Sequence, residues 1–598
     1  MRHSFASPRR RTARAVLAAA LALGVAACGG GEEPQGVSRK AARARSIAAS
    51  PSAPSPLDEP FRLRNAETVD VDRLLAIFPE TLRPTYAAAV FDEDLGAMVL
   101  TDVTVPAVKA KAEGAINYDV EFAGLKADRV ELFGADPEAI EAVIAGESSI
   151  EAPMRRVLTK ARFYGVRGPE MEGAAKKEDV DATIAAIEIA GLSAREGGLP
   201  PAPPKRELRG STYRATKAAD QDGAGLARLL HAFSADGLYM KDAALVARDK
   251  TDAGEPLFET RLPDVRFVGV EGGRLQAMII NDFSSVTRSQ RVELDTAAGL
   301  LSGVTEALEG PFRNVIAPDL RKVTIARIEW KDVDASGFMP FALTGETPPT
   351  TARDLMDFGA IAVRGSQTHV NGALFSSIPL SEVTAIEFDW VAPSRIRARA
   401  EDVFYDFTAL FGPEEEEARE FLTSLSLNGV EGDTEFSYDW DAKDGVARLM
   451  GGSAAPGFAA SEFDLELVDM KLDDLDPAAA AQGFDGLIDA ASLARLDAKL
   501  VDETALDAIF GVIGIEGGFG GKNARATLTT LLGFVRMQAG FGNPQVGEYV
   551  DALVDFIDDG GTLTVTARPD TPAPLSALEG LDGAEAAARL NLQVTHEK

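Results

Sequence analysis

Cysteine is nearly missing from this chain: Cys28 is the single one in 598 residues. Disulfide scaffolding, thiolate catalysis and sulfur-based zinc sites are excluded with it. Histidine is almost as scarce. Of His3, His231, His369 and His596, no two have the i, i+4 spacing of a zinc helix. His231, inside Leu229-Leu230-His231-Ala232-Phe233, reads as a packed residue rather than a lone catalyst. No serine has a lysine three residues on, and no Gly-x-Ser-x-Gly elbow occurs. Basic charge is short as well, with 61 Lys and Arg against 93 Asp and Glu. Such a surface repels polyanions, which argues against nucleic acid and against a basic face docked on anionic lipid.

Two stretches only imitate binding motifs. Gly517-Gly518-Phe519-Gly520-Gly521-Lys522-Asn523 has Glu516 where a phosphate loop needs its first glycine and Asn523 where it needs Ser or Thr. It reads as a turn between helices. Asp92-Glu93-Asp94-Leu95-Gly96 lacks the later glutamate of a calcium loop and reads as a solvated turn. No cofactor and no metal is expected.

What is present begins at the N-terminus. Arg2, Arg9, Arg10, Arg11 and Arg14 precede an apolar run from Ala15 to Ala27, the layout of a secretory signal. The run is too short to span a bilayer, and no later segment reaches the roughly 18 apolar residues that spanning requires. The junction Val25-Ala26-Ala27-Cys28 resembles the lipobox of bacterial lipoproteins. That resemblance implies cleavage after Ala27 and acylation of Cys28, which then anchors the chain. The mature protein keeps 56 basic and 93 acidic side chains, a net charge of −37. Residues 28–59, rich in Gly, Ser, Pro and Ala without apolar periodicity, read as a disordered tether.

The body repeats a pattern. Apolar residues recur at relative positions 0, 3, 5 and 8 in ten places, starting at Leu95, Ala127, Leu158, Ile184, Leu262, Leu275, Ile325, Val383, Leu422 and Leu467. Positions 3 and 5 share one face of a strand, whereas position 8 has switched parity and needs a bulge or turn before it. Turn formers stand there at Gly191, Asp332, Gly429 and Asp474. A hairpin is expected where Phe436, Tyr438 and Trp440 alternate with acids before Asp441 to Gly445. Near the C-terminus, 478–490, 504–515, 524–539 and 544–558 carry helical patterning, the last capped by Asn543. A strand with Leu563, Val565 and Ala567 on one face follows them.

Punctuation at Glu196 to Pro204 and Gly345 to Thr350, with a helix start expected at Thr351, divides the body. The expected segments are a signal at 1–27, the tether at 28–59, β-rich domains at 60–196 and 210–345, a third β-rich stretch at 351–475, and a helix-rich region at 476–598. The fold class is α+β, an extended and repetitive antiparallel sheet covered by helices, including one at 293–317.

The strand texture and the order of sheet, helices and Thr-rich strand are similar to periplasmic proteins of AsmA-like type. That resemblance implies a cell-envelope protein of long antiparallel β-structure and carries no residue-level function. The expected function is non-enzymatic binding or scaffolding in the envelope, at the outer membrane facing the periplasm, with a lipid or envelope protein as partner. An apolar groove is expected along Ile187, Ile189, Met278, Ile280, Ile328, Trp330, Ile386 and Phe388. The alternative is a hydrolase of envelope polymer working with a carboxylate pair, although with 93 acids no spacing singles one out. The lipobox is directly testable. Cys28→Ser is expected to move the protein from the membrane fraction to the soluble periplasm and to abolish labelling by fatty-acid analogues.

Overall fold

A computed structural model describes residues 55–598 except 112–118, 173–177, 199–227, 250–255, 289–319, 411–415, 476–483, 517–520, 541–543 and scattered stretches of one or two residues. Val25, Ala26, Ala27 and Cys28, the tether up to residue 54, the expected helix at 293–317, Asn543 and the loop at 517–520 lie outside the described residues. The chain groups into two compact units. Of the described residues, those from Ser55 to Arg288 and from Val323 to Val363 belong to the first, and Leu320 to Lys322 and Arg364 to Lys598 to the second. The fold is α+β and dominated by antiparallel sheet.

The first unit carries β1 (Ala88–Asp92), β2 (Ala97–Val105), β3 (Val108–Lys111), β4 (Asp119–Phe122), β5 (Leu125–Ala135), β6 (Met154–Arg167) and β7 (Met171–Glu172). It continues with β8 (Glu178–Arg195), β9 (Phe233–Asp249), β10 (Phe258–Glu271), β11 (Arg274–Arg288), β12 (Leu320–Asp334) and the start of β13 (Ala360–Val370). Strands β3 and β4 make a separate ribbon. The others pair antiparallel in the order β1, β2, β5, β6, β8, β9, β10, β11. Strands β8 and β9 pair from Glu178↔Asp249 to Ala194↔Phe233. The stretches 60–196 and 210–345 therefore contribute neighbouring strands to one sheet.

The parity switch in the 0, 3, 5, 8 pattern has a specific cause. In eight of the ten copies the residue at relative position 7 has positive φ: Asp102, Gly134, Gly165, Gly191, Gly269, Asp282, Asp332 and Trp390. Asp242 plays the same part in β9. Gly429 and Asp474 do not. The expected bulge is present in some ladders. The β6–β8 register shifts between Arg156 and Leu158, beside Gly191, and the strand that ends just before Trp390 shifts between Thr384 and Phe388. At Asp102 no extra residue is inserted. Thr101↔Arg129 and Val103↔Ala127 flank Asp102 with the register unshifted. The left-handed residue instead rotates the pleat, so that Leu100 and Val103, of opposite parity, are both buried.

These kinks fall in two rows across the sheet. Gly134, Gly191 and Gly269 share one row, where a Cβ would strike Thr159, Asp236 and Gln276 of the neighbouring strands. Asp102, Gly165, Asp242 and Asp282 share the other. Pro263 sits in the second row, opposite Asp242 and Asp282, where its missing N–H leaves no ladder bond unmade. The rows lie six positions apart on each strand, about 20 Å of extended chain.

Two helices cover the β2–β8 end of the apolar face. Val71–Leu75 starts on Asp70, whose carboxylate accepts from Arg73 N at 3.1 Å. Pro137–Ala145 starts on Asp136, which accepts from Glu138 N and Ala139 N, with proline at the first turn. Val71, Leu74, Ile140 and Val143 pack there with Leu100, Val130, Leu158 and Ala161.

In the second unit β14 (Ala373–Asp389), β15 (Ala392–Tyr405), β16 (Val430–Asp441), β17 (Val446–Ala455), β18 (Ala459–Val468), β19 (Ser492–Asp502) and β20 (Gly561–Ala567) pair in order. The short β21 (Ala573–Pro574) pairs β19, and β22 (Leu592–Glu597) pairs β20. The expected hairpin is β16 and β17, closing at Asp441↔Val446. Trp440 is buried in it and donates to Met470 O at 3.0 Å. No helix starts at Thr351; instead Asp357 bridges back to Asp334, after a short helix at Met339–Thr344. Helices run at Phe484–Ala490, Ala505–Glu516, Gly521–Gly540 and Pro544–Asp559, with β19 between the first two.

The kinks predict an asymmetry between substitutions. Gly165→Val, at φ +61° with Asp128 against its Cα, is expected to lose about 2 kcal/mol or more. Asp242→Gly is expected to stay within about 1 kcal/mol of wild type. Urea midpoints of the two variants check this.

Candidate functional site

Between the two rows each strand presents five residues, sent alternately to two faces. On one face the register aligns Phe163, Ile187, Met240, Val265 and Ile280, and beside them Ala161, Ile189, Leu238, Phe267 and Met278. Strand β12 lies next to β11, for Ala335 N donates to Gly273 O at 2.9 Å and Arg327 reaches Asn281 Oδ1 at 3.4 Å. Arg327 and Glu329 take the charged side, which puts Ile328 and Trp330 on the apolar one. Trp330 donates to Phe358 O at 2.7 Å and meets the Phe358 ring edge-on.

Six of the eight expected groove residues thus share a face: Ile187, Ile189, Met278, Ile280, Ile328 and Trp330. Ile386 and Phe388 lie on β14 in the second unit and are half-buried. Ile187 and Ile189 pack against the helix-covered core. Farther along, Val265 is buried, whereas Met278, Ile280, Ile328 and Trp330 are only half-buried. An apolar cleft of about 170 Å³ opens among Val166, Ile184, Ala243, Leu245, Thr260 and Leu262. That is less than the roughly 300 Å³ of an ordinary small-molecule site, so it holds a few methylenes and not a whole ligand.

The opposite face carries charge, and sequence reading missed it. Register pairs Glu131 with Arg162, Arg162 with Glu188, Glu188 with Tyr239, and Tyr239 with Arg266. Glu131, Arg162 and Glu188 are 7%, 5% and 1% exposed. Arg162 Nε donates to Glu188 at 2.6 Å and Lys160 Nζ at 2.7 Å. Arg129 and the Tyr164 hydroxyl hold Glu131 at 3.0 and 3.1 Å. Burial first, then the Glu131 carboxylate, raises the Tyr164 phenol above its usual range. Farther along, Asp264 is held by Arg266 at 2.8 Å and by the buried Asn281 at 2.6 Å.

This ladder is roofed by the start of the described chain. Residues Pro56–Asp58 form a 3-10 turn capped by Ser55, so the segment expected as tether through Glu59 is structured from Ser55. Arg162 donates to Pro56 O at 3.1 Å and to Glu59 O at 2.9 Å, and Asp58 pairs with Lys241. Phe61 stands edge-on to the buried Phe133 at 5.0 Å, with the Lys160 ammonium 4.3 Å over its ring. The signal in the sequence was a single charge between two apolar residues on consecutive strands: Val130-Glu131-Leu132, Ala161-Arg162-Phe163, Ile187-Glu188-Ile189.

Glu131 and Glu188 are thus engaged by cations beneath a strap rather than facing a polar cleft. His231 is buried with its ring 2.9 Å from Ile150 O, and burial, then the neighbouring Arg195, depresses its pKa. His596 holds Gly560 O at 2.7 Å. Asp92 to Gly96, expected as a solvated turn, closes the β1–β2 hairpin, where Leu95 N donates to Asp92. Among the described residues no three His, Cys, Asp or Glu group to hold a metal ion.

A family model described only as an uncharacterized protein matches residues 451–597, from within β17 to β22. No curated protein matches the chain.

The ladder sets a stability prediction. Glu188→Ala strands two cations under the strap and is expected to cost about 3–5 kcal/mol. Replacing Glu188, Arg162 and Lys160 together by apolar residues is expected to cost less than that. Urea unfolding of the two variants compares them.

Proposed function

We propose that this is a lipid-anchored cell-envelope protein without catalytic activity. Cys28 carries the anchor at the outer membrane, facing the periplasm, and the sheet of the first unit binds an apolar ligand such as a lipid acyl chain. The C-terminal region 476–598 serves as a helix-rich cap on its own strands. One observation supports the binding reading. Met278, Ile280, Ile328 and Trp330 lie side by side on a sheet face and are only half-buried. Burying side chains of this size is worth roughly 1.5–3 kcal/mol each, so a half-covered row favours an apolar occupant. Its repeating five-residue width suits a chain-like ligand lying across strands better than a compact one.

Ile328→Glu separates a groove from an ordinary core. In a groove, the variant keeps the wild-type melting temperature within a few degrees, and lipid found by mass spectrometry of extracts from the purified wild-type protein is lost. Unfolding of the variant, with no lipid extracted from either protein, overturns the proposal.

A further inference from the structure

The helix Gly521–Gly540 is turned inside out. Sequence periodicity leads to the expectation that it buries an apolar stripe on a sheet, yet four of its large apolar residues are exposed. Leu528, Leu531, Phe534 and Met537 are 38%, 56%, 59% and 56% exposed, four of the nine large hydrophobics exposed among the described residues. Thr527 and Thr530 are exposed beside them, and no charged residue occurs from Ala526 to Val535. The two described cations are tied to neighbouring helices. Arg525 pairs with Asp507 at 2.8 Å and lies 5.2 Å over Phe510, and Arg536 pairs with Asp551 at 2.7 Å. Ile509, on the adjoining helix Ala505–Glu516, adds another exposed apolar side chain.

An ordinary surface helix does the opposite, with apolar residues inward and charge outward. Here the ionic groups neutralise one another at the base, and an uncharged slope of Leu, Phe, Met and Thr is left to be covered. We infer that this helix docks on the headgroup–acyl boundary of a bilayer, so that the second unit lies against the membrane. Area argues for a bilayer over a second copy of the chain. A helix of 20 residues is about 30 Å long and about 10 Å across, which offers about 300 Å². A stable protein–protein interface needs about 800 Å² from each partner. A membrane sets no such threshold when a tether keeps the effective concentration high, and in this respect the inference rests on the anchored reading of Cys28. Charge narrows the lipid class. Apart from Asp551 and Asp559, paired with Arg536 and Lys598, the adjoining helix Pro544–Asp559 carries Glu548, Asp555 and Asp558. Anionic headgroups are repelled by these acids, so the surface recognised is zwitterionic.

The test uses the full chain with Cys28→Ser and Leu531→Cys, labelled at residue 531 with an environment-sensitive fluorophore. An N-terminal histidine tag holds it on vesicles of phosphatidylcholine and phosphatidylethanolamine doped with a nickel-chelating lipid. The tag replaces the acyl anchor, so failure here is failure of the docking inference, whereas absent fatty-acid labelling of native Cys28 is failure of the anchor. The expected result is a blue shift and rise in emission on these vesicles, weaker when phosphatidylglycerol is added. Phe534→Ser should lower the membrane-inserted fraction roughly tenfold, the loss of one buried aromatic side chain. A solvent-like spectrum for protein held on vesicles, with an unchanged melting temperature, overturns the inference. So does a shift that grows with protein concentration in the absence of vesicles, accompanied by a doubled sedimentation mass, because a second copy is then the occupant.

Discussion

The structure depends on fitting one left-handed residue into each long strand of the first unit while keeping its ladder paired. A left-handed backbone costs a non-glycine residue roughly 1–2 kcal/mol, and glycine almost nothing. Half of these positions are accordingly glycine. The other half are aspartate, whose short side chain tolerates that region better than most. Because neighbouring strands kink alternately in one row or the other, hydrogen bonding resumes on both sides of each row. The rows thereby frame a band in which apolar residues fall on one face and charges on the other.

Burying that charge is possible only because it comes as a connected set. An isolated carboxylate at 1% exposure would be neutralised or would unfold its surroundings. Glu188 instead receives two cations, and the remaining donors of Arg162 are taken by carbonyls of the strap. Strap and ladder therefore stabilise each other: without Pro56 and Glu59 the guanidinium loses its outer acceptors, and without Arg162 the strap loses its docking point.

Much of the local architecture was legible in sequence. In eight of its ten copies the 0, 3, 5, 8 spacing located a strand and the site of the parity switch, whereas the copy from Leu422 falls on a helix and the turn after it. Glycine or aspartate at relative position 7 is readable as a left-handed residue once the whole set is compared. What spacing could not reveal was which ladders keep their register and which carry a bulge, because a bulge and a kink leave the same apolar pattern. The pairing of β8 with β9 was hidden by the Pro-rich stretch between them, since turn chemistry marks a break in the chain and not in the sheet. The residues expected to line a groove were picked by their alternation, which Ile386 and Phe388 share while belonging to the other unit. Periodicity gives a helix an apolar side without saying which way it faces, so Gly521–Gly540 was placed on a sheet that it does not cover.

The alternation of the kink rows also limits how such a sheet can change in size. Antiparallel neighbours place their left-handed residues alternately: β5, β8, β10 and β12 in one row, β2, β6, β9 and β11 in the other. Losing or gaining a single long strand would bring two strands of the same row together and leave the opposite level without its kink. Growth by a hairpin preserves the order. The unit of duplication for this architecture is therefore two strands, and lengths among relatives should step by hairpins.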